Sequence, residues 1–147
     1  MQNLSKTKIK SLEDIYQMAE DNGIDVDDVD FIKVKSISIQ HNKECHIAIN
    51  TKKIPTRSEE KVILAHELGH CKTGSFYNKY SKFDLVCKHE YRANRQAVLD
   101  LVPYEELLFA IEKGCKERWE LAEYFDITEE FVDEVIKHYT RMGMDFR

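Results

Sequence analysis

The sequence predicts an α+β fold that is mainly helical, with a small antiparallel sheet near the N-terminus. Between about residues 32 and 49, apolar and polar side chains alternate, which is the period of a half-buried strand. After Pro55, apolar side chains recur every three or four residues, which is the period of an amphipathic helix. Strands followed by a run of helices are typical of α+β proteins.

The composition predicts one folded domain over residues 1–147 and disfavours nucleic acid as a partner. Hydrophobic residues make up 42% of the chain and charged residues 33%, with 5 glycines and 2 prolines, a balance typical of helix-rich globular proteins. The net charge is -5, whereas tight binding to nucleic acid needs a basic surface. No nucleic acid is therefore expected among the partners.

Local signals predict six helices and one hairpin. Thr56 and Thr128 are expected to begin helices as N-caps, and Pro103 is expected to stop one. The polar stretch at residues 40–44 is expected to join two strands, and the aspartate-rich stretch at residues 25–30 to form a solvated acidic turn. The helices are expected at about residues 11–23, 56–72, 84–101, 104–113, 117–125 and 128–141.

The N-terminus and the cysteines predict a cytoplasmic protein with reduced thiols. The first ten residues are basic but have no apolar run behind them, so they are not expected to be a signal peptide. No stretch approaches the roughly 18 apolar residues that span a bilayer, and no membrane partner is expected. In the cytoplasm, Cys45, Cys71, Cys87 and Cys115 are expected to form neither a disulfide nor a zinc ribbon.

The chemistry of the chain is concentrated in the segment Ala65-His66-Glu67-Leu68-Gly69-His70. His66 and His70 lie one helical turn apart on one face, so their imidazoles can bind the same zinc ion (Zn²⁺). Glu67 lies beside that face and can act as a general base without binding the metal. Because this short pattern also arises by chance on amphipathic helices, its significance depends on a third ligand near it.

Glu90 is the favoured third ligand, since a catalytic zinc usually has three protein ligands and one open position. It follows His70 by 20 residues, and the loop at residues 73–83 is long enough for the second helix to pack antiparallel to the first. Asn94 lies one turn further along the same face, where its amide can hydrogen-bond a ligand. His89 is the rival ligand, but it points about 100° away from Glu90 around the helix.

The segments AHELGH and EYRANRQAVLDLVP together resemble the ImmA/IrrE family of metallopeptidases. The resemblance extends to residues 47–50 and 120–128, whereas Cys71 and Lys72 depart from the more apolar residues usual after the motif. It implies that Glu90 is the third zinc ligand and that residues 56–103 form a zincin-like helix pair. Residues 1–55 would then carry the first helix and the sheet, and residues 104–147 a C-terminal helical part.

The same resemblance implies a zinc metalloendopeptidase, a hydrolase whose substrate is a helix-turn-helix repressor of a mobile element or stress regulon. Peptide hydrolysis also needs a hydrogen-bond donor for the oxyanion that develops on the scissile carbonyl. The sequence offers five candidate donors and does not choose among them. They are Tyr77, Tyr80, Tyr91, Arg92 and His138.

Two other functions fit parts of the sequence. The segment at residues 116–139 has the outline of a helix-turn-helix, which suggests DNA binding. However, residues 116–141 carry eight acidic and four basic side chains, and the acids crowd the end that would enter the DNA groove. The second alternative is a metal-binding regulator that sequesters a repressor without cutting it.

Overall fold

The computed structural model describes residues 9–78 and 80–145, and over these residues the α+β prediction is confirmed. Each helix begins and ends within two residues of its predicted bounds. The strands are β1 (Asp25–Asp28), β2 (Ser36–His41) and β3 (Glu44–Ile49), a short 3-10 helix lies at Thr51–Lys53, and the α-helices are α1 (Leu12–Asp21), α2 (Arg57–Thr73), α3 (Phe83–Leu101), α4 (Tyr104–Glu112), α5 (Arg118–Phe125) and α6 (Glu129–Arg141).

Within the described part of the chain, no helix combines the length and the apolar content needed to cross a bilayer. Residues 1–8, which make up most of the N-terminal stretch considered above, lie outside that part. The buried apolar side chains of the sheet and of all six helices form one continuous core. A core shared in this way ties the sheet, the central helices and the C-terminal helices together.

The sheet is mixed, which corrects the prediction of a purely antiparallel one. Its strand order is β1-β3-β2, with β2 antiparallel and β1 parallel to β3. The aspartate-rich stretch predicted as a turn contains β1, because its backbone pairs with β3 while its carboxylates stay at the exposed edge. Asp28 also accepts hydrogen bonds from the backbone and the hydroxyl of Thr51, at 3.1 and 2.6 Å.

The predicted hairpin between β2 and β3 is confirmed. Asn42 and Lys43 form its two-residue turn with positive φ angles of 51° and 67°. This is the backbone conformation that matches the twist of antiparallel strands. Ser36, at the start of β2, consequently pairs with Ile49 at the end of β3.

Helices α2 and α3 pack backbone to backbone at Gly69. A Cβ atom on Gly69 would lie only 2.3 Å from the carbonyl oxygen of Ala93, so only glycine allows this approach. Ala93 and Ala97 on α3 are fully buried at the contact. The small side chains allow the two helices to come close enough for their polar faces to share one site.

The C-terminal helices are anchored to the central helices by buried polar contacts. Lys61 on α2 is fully buried and donates a hydrogen bond to the carbonyl oxygen of Phe125 at 2.6 Å. The hydroxyl of Tyr139 on α6 donates to the carbonyl oxygen of Val102 at 2.7 Å. On the surface, Arg118 forms ion pairs with Glu129 and Asp133, which join α5 to α6.

A disulfide bond joins Cys45 on β3 to Cys71 on α2, so the prediction that these cysteines are reduced was wrong for this pair. Their Cα atoms are 5.8 Å apart, a normal separation for a disulfide. The cysteines are separated by 26 residues, so their approach depends on how the sheet packs against the helix. Cys87 and Cys115 have free thiols.

The Gly69→Ala substitution is expected to destabilise the protein, although alanine favours helices more than glycine does. Overpacking of a core contact costs about 1–3 kcal/mol, which outweighs the gain in helix propensity of about 1 kcal/mol. Urea unfolding measures the change. Gly23→Ala is the contrast, because Gly23 has a left-handed φ of 69°, open space around it and no part in the cleft. Gly23→Ala should lower the free energy of unfolding but leave the affinity for the expected zinc unchanged, whereas Gly69→Ala should lower both.

Reduction of the Cys45–Cys71 bond is expected to lower the free energy of unfolding by about 3.5 kcal/mol, from the entropy of a loop of this length. Urea unfolding with and without a reductant measures the change. The Cys45→Ala/Cys71→Ala variant should be insensitive to the reductant. Thiol titration of the urea-unfolded, non-reduced protein should find two thiols per chain, and four would contradict the bond.

Candidate metal centre

Helix α2 brings His66 and His70 together at one end of the α2–α3 contact. The helix begins at the N-cap Thr56, whose side chain accepts a hydrogen bond from the backbone of Glu59 at 3.1 Å. It ends at Gly74, which adopts a left-handed conformation and turns the chain back over the helix. The Nε2 atoms of the two histidines are 3.2 Å apart, as expected for side chains one turn apart on the same face.

Hydrogen bonds orient both imidazole rings. The Nδ1 atom of His66 lies 2.8 Å from the amide oxygen of Asn94, and Nδ1 of His70 contacts the carbonyl oxygen of Ser75. Because these oxygens can only accept, each Nδ1 carries the hydrogen. In a neutral imidazole the lone pair is then on Nε2, which points into the site and is the form that binds a metal.

Glu90 on α3 completes a group of three side chains whose ligand atoms lie within 4.8 Å of one another. Its two carboxylate oxygens are 3.1 Å from Nε2 of His66 and 3.0 Å from Nε2 of His70. Tetrahedral zinc with bonds of about 2.0–2.1 Å places its ligand atoms roughly 3.3 Å apart. The donor types and their spacing therefore fit zinc.

The charges in the site support metal binding. The close approach of Nε2 of His66 and His70 holds the pKa of Glu90 well below its usual range, so this side chain is a carboxylate. Burial lowers the pKa of His66, but the hydrogen bond and the negative charge of Glu90 outweigh burial and raise it overall. A divalent cation would satisfy the same negative charge that attracts the imidazoles.

Glu67 lies beside the three candidate ligands in a cleft of about 340 Å³. Its side chain is only 7% exposed, and its Oε2 atom accepts a hydrogen bond from the hydroxyl of Ser36 at 2.5 Å. The structure thus brings together the four side chains that the sequence singled out for the site. Its metal-binding group contains Glu90 and not the rival His89, whose ring stacks on Tyr77 with a centroid distance of 6.3 Å.

Of the five candidate hydrogen-bond donors, Tyr77 is the one that lines the cleft. Its hydroxyl donates to Oε2 of Glu90 at 2.7 Å, and this bond raises the pKa of Tyr77 to about 12, so the hydroxyl keeps its proton. Tyr91 lies beneath the guanidinium of Arg141, and His138 is buried. A separate cavity of about 870 Å³ lies among α4, α5 and α6 and contains none of the candidate ligands.

Two contributors to the site, Ser36 and the carbonyl group of Ser75, could not be predicted from the sequence. Both contacts depend on how distant segments fold against α2, and neither residue belongs to a recognisable motif. The alternation of Ser36 and Ser38 with isoleucines on β2 was the only local signal. It identified the strand but not the face that meets the helix.

An α+β fold with two helices that bring His66, His70 and Glu90 together beside the carboxylate of Glu67 defines a metallopeptidase-type site. Residues 24–137 match a peptidase family described as the IrrE N-terminal-like domain, whose members are metal-dependent. The match covers well over half of the chain, and the protein belongs to this family. No curated protein and no solved structure shows a significant match.

We expect about one zinc ion per chain, and we expect the His66→Ala/His70→Ala variant to lose it. Asn94→Ala should weaken zinc binding about 10- to 100-fold, because the amide fixes the ring of one ligand. Gln96→Ala is the matched control, since Gln96 lies on the same helix and bonds Asp100 at 3.2 Å instead of a ligand. Elemental analysis and competition with a chromogenic chelator measure these effects. Equal zinc in the wild type and the double variant would contradict the assignment.

Proposed function

We propose that the protein is a zinc-dependent endopeptidase that cuts a helix-turn-helix transcriptional repressor of a mobile element or stress regulon. The observation that carries this proposal is the convergence of His66, His70 and Glu90 beside the carboxylate of Glu67 in one cleft. Family membership supports peptide hydrolysis. A repressor of this kind acts on DNA, so the proposed reaction takes place in the cytoplasm.

The roles of the residues follow from their chemistry. Bound zinc would lower the pKa of a water molecule to about 7 and polarise the scissile carbonyl group. Glu67 takes a proton from the attacking water and delivers it to the departing amine, as a positioned general base and acid. Asn94 and Ser75 hold the two histidines in the tautomer that leaves Nε2 free to bind the metal.

Tyr77 is the proposed donor to the oxyanion that develops on the scissile carbonyl. Its protonated hydroxyl lies in the same cleft as Glu67, and its ring is 42% exposed, so a substrate can reach it. An oxyanion-stabilising donor must be in place before the charge develops. Stacking on His89 keeps the ring of Tyr77 in the cleft, and its single hydroxyl proton, which points to Glu90 in the structure, turns to the carbonyl oxygen when substrate binds.

Charge supports a DNA-binding protein as the substrate. The segment at residues 116–141 carries eight acidic and four basic side chains, and Glu129 and Glu130 lie in the first turn of α6. An acidic surface attracts the basic face of a DNA-binding protein and speeds their encounter. The same charges repel DNA itself, so we do not adopt the DNA-binding alternative.

The Glu67→Gln substitution is expected to keep bound zinc but reduce hydrolysis about 10²- to 10⁴-fold, because it preserves size and shape while it removes the base. The substrate to test is a purified helix-turn-helix repressor, sought first among the products of any neighbouring genes. Gel electrophoresis and mass spectrometry follow its cleavage, and the His66→Ala/His70→Ala variant is the metal-free control. Cleavage at the wild-type rate by Glu67→Gln would refute the mechanism. A zinc-loaded wild type that binds the repressor without cutting it would instead support the sequestering regulator.

A further inference from the structure

Glu67 is held by a residue from a different part of the fold. Ser36 begins β2, 31 residues before Glu67 in the sequence, and its hydroxyl donates to Oε2 of the glutamate at 2.5 Å. Ser36 is half-buried and lines the same cleft as the candidate ligands. A hydrogen bond from a hydroxyl to a carboxylate is charge-assisted and short, and it is stronger than a neutral one.

The start of β2 is itself fixed against α2. Ser36 pairs with Ile49 in the sheet, and the backbone of Asn50 donates to the carbonyl oxygen of Lys35 at 2.8 Å. The ammonium group of Lys35 forms an ion pair with Glu59, which lies on α2 eight residues before Glu67. The hydroxyl of Ser36 is therefore placed by its strand before any substrate binds.

We propose that Ser36 is a positioning residue that holds Glu67 in its working orientation, an inference that rests on the proposed function of Glu67 as general base. A glutamate side chain rotates about three bonds and can turn its carboxylate away from the attacking water. The bond to Ser36 holds one oxygen and leaves the other, Oε1, to accept the proton. A base displaced by about 1 Å can lose on the order of 10² in rate, so the hydroxyl contributes to turnover without contacting the reacting atoms.

The contact is tested first without metal or substrate. The unfolding of metal-free wild type, Ser36→Ala, Glu67→Ala and the double variant is followed in urea. If the two side chains interact, the midpoint shift of the double variant differs from the sum of the single shifts. Additive shifts would overturn the inference. Ser38→Ala combined with Glu67→Ala is the control, since Ser38 lines the cleft on the same strand, and these two shifts should add.

The role is tested by kinetics on the zinc-loaded protein, with a helix-turn-helix repressor that the wild type cleaves as substrate. Ser36→Ala should lower kcat about 10- to 100-fold with KM and zinc content unchanged. Ser36→Thr keeps the hydroxyl and should restore most of kcat, whereas Ser36→Val has nearly the same shape as threonine and should not. This pair keeps the test decisive even if Ser36→Ala folds poorly. Gln40→Ala, on the same strand but outside the cleft lining, should retain the wild-type kcat.

The dependence on Glu67 separates positioning from a general structural effect. In the Glu67→Gln background, Ser36→Ala should cause no further loss, because the base it orients is already gone. Equal losses in both backgrounds, or equal kcat for Ser36→Thr and Ser36→Val, would overturn the inference. If Glu67→Gln itself retains the wild-type rate, the proposed function fails instead. If Glu67→Gln is inactive and Ser36→Ala is fully active, only the role of Ser36 is refuted.

Discussion

The close approach of α2 and α3 at Gly69 and Ala93 is the constraint on which the candidate site depends. Ala93 lies between Glu90, which completes the metal-binding group, and Asn94, which orients His66. A side chain at position 69 would push α3 outward and move both groups away from the histidines. Gly69 lowers the helix propensity of α2, but it allows candidate ligand atoms from two helices to come within bonding distance of one metal ion.

Helix α2 is contacted by two elements, α3 and β2, and each of them positions a different part of the candidate site. Helix α3 contacts one side of α2 and carries Glu90, the third candidate metal ligand. Strand β2 contacts another side of α2, where Ser36 donates a hydrogen bond to Glu67. The C-terminal helices leave both contacts unobstructed, because they are anchored through Lys61 and Tyr139 away from the cleft. The candidate metal ligands and the orientation of Glu67 can therefore be perturbed separately by substitution.

The features predicted correctly are those that short-range rules determine. Helix bounds followed from caps and periodicity, and the placement of Glu90 and Asn94 followed from the spacing of residues on one face. The errors concern contacts between distant segments. Val26 is the one apolar residue of β1, and the other three are aspartates, so the local sequence does not predict a strand. The strand forms because β3 provides a parallel hydrogen-bonding partner. The pairing of Cys45 with Cys71 and the contact of Ser36 with Glu67 likewise depend on how the sheet sits on α2.

The bond between Cys45 and Cys71 makes the intervening segment a covalent ring, and that ring contains His66, Glu67 and His70. Glu90 lies outside it. If a protease nicks the backbone once anywhere between the two cysteines, the resulting pieces stay joined through sulfur. Both histidines then remain tethered to the sheet, and the nicked chain keeps its full mass until a thiol separates its parts. In this protein, continuity of the peptide backbone and covalent attachment of the histidines to the sheet are separate properties.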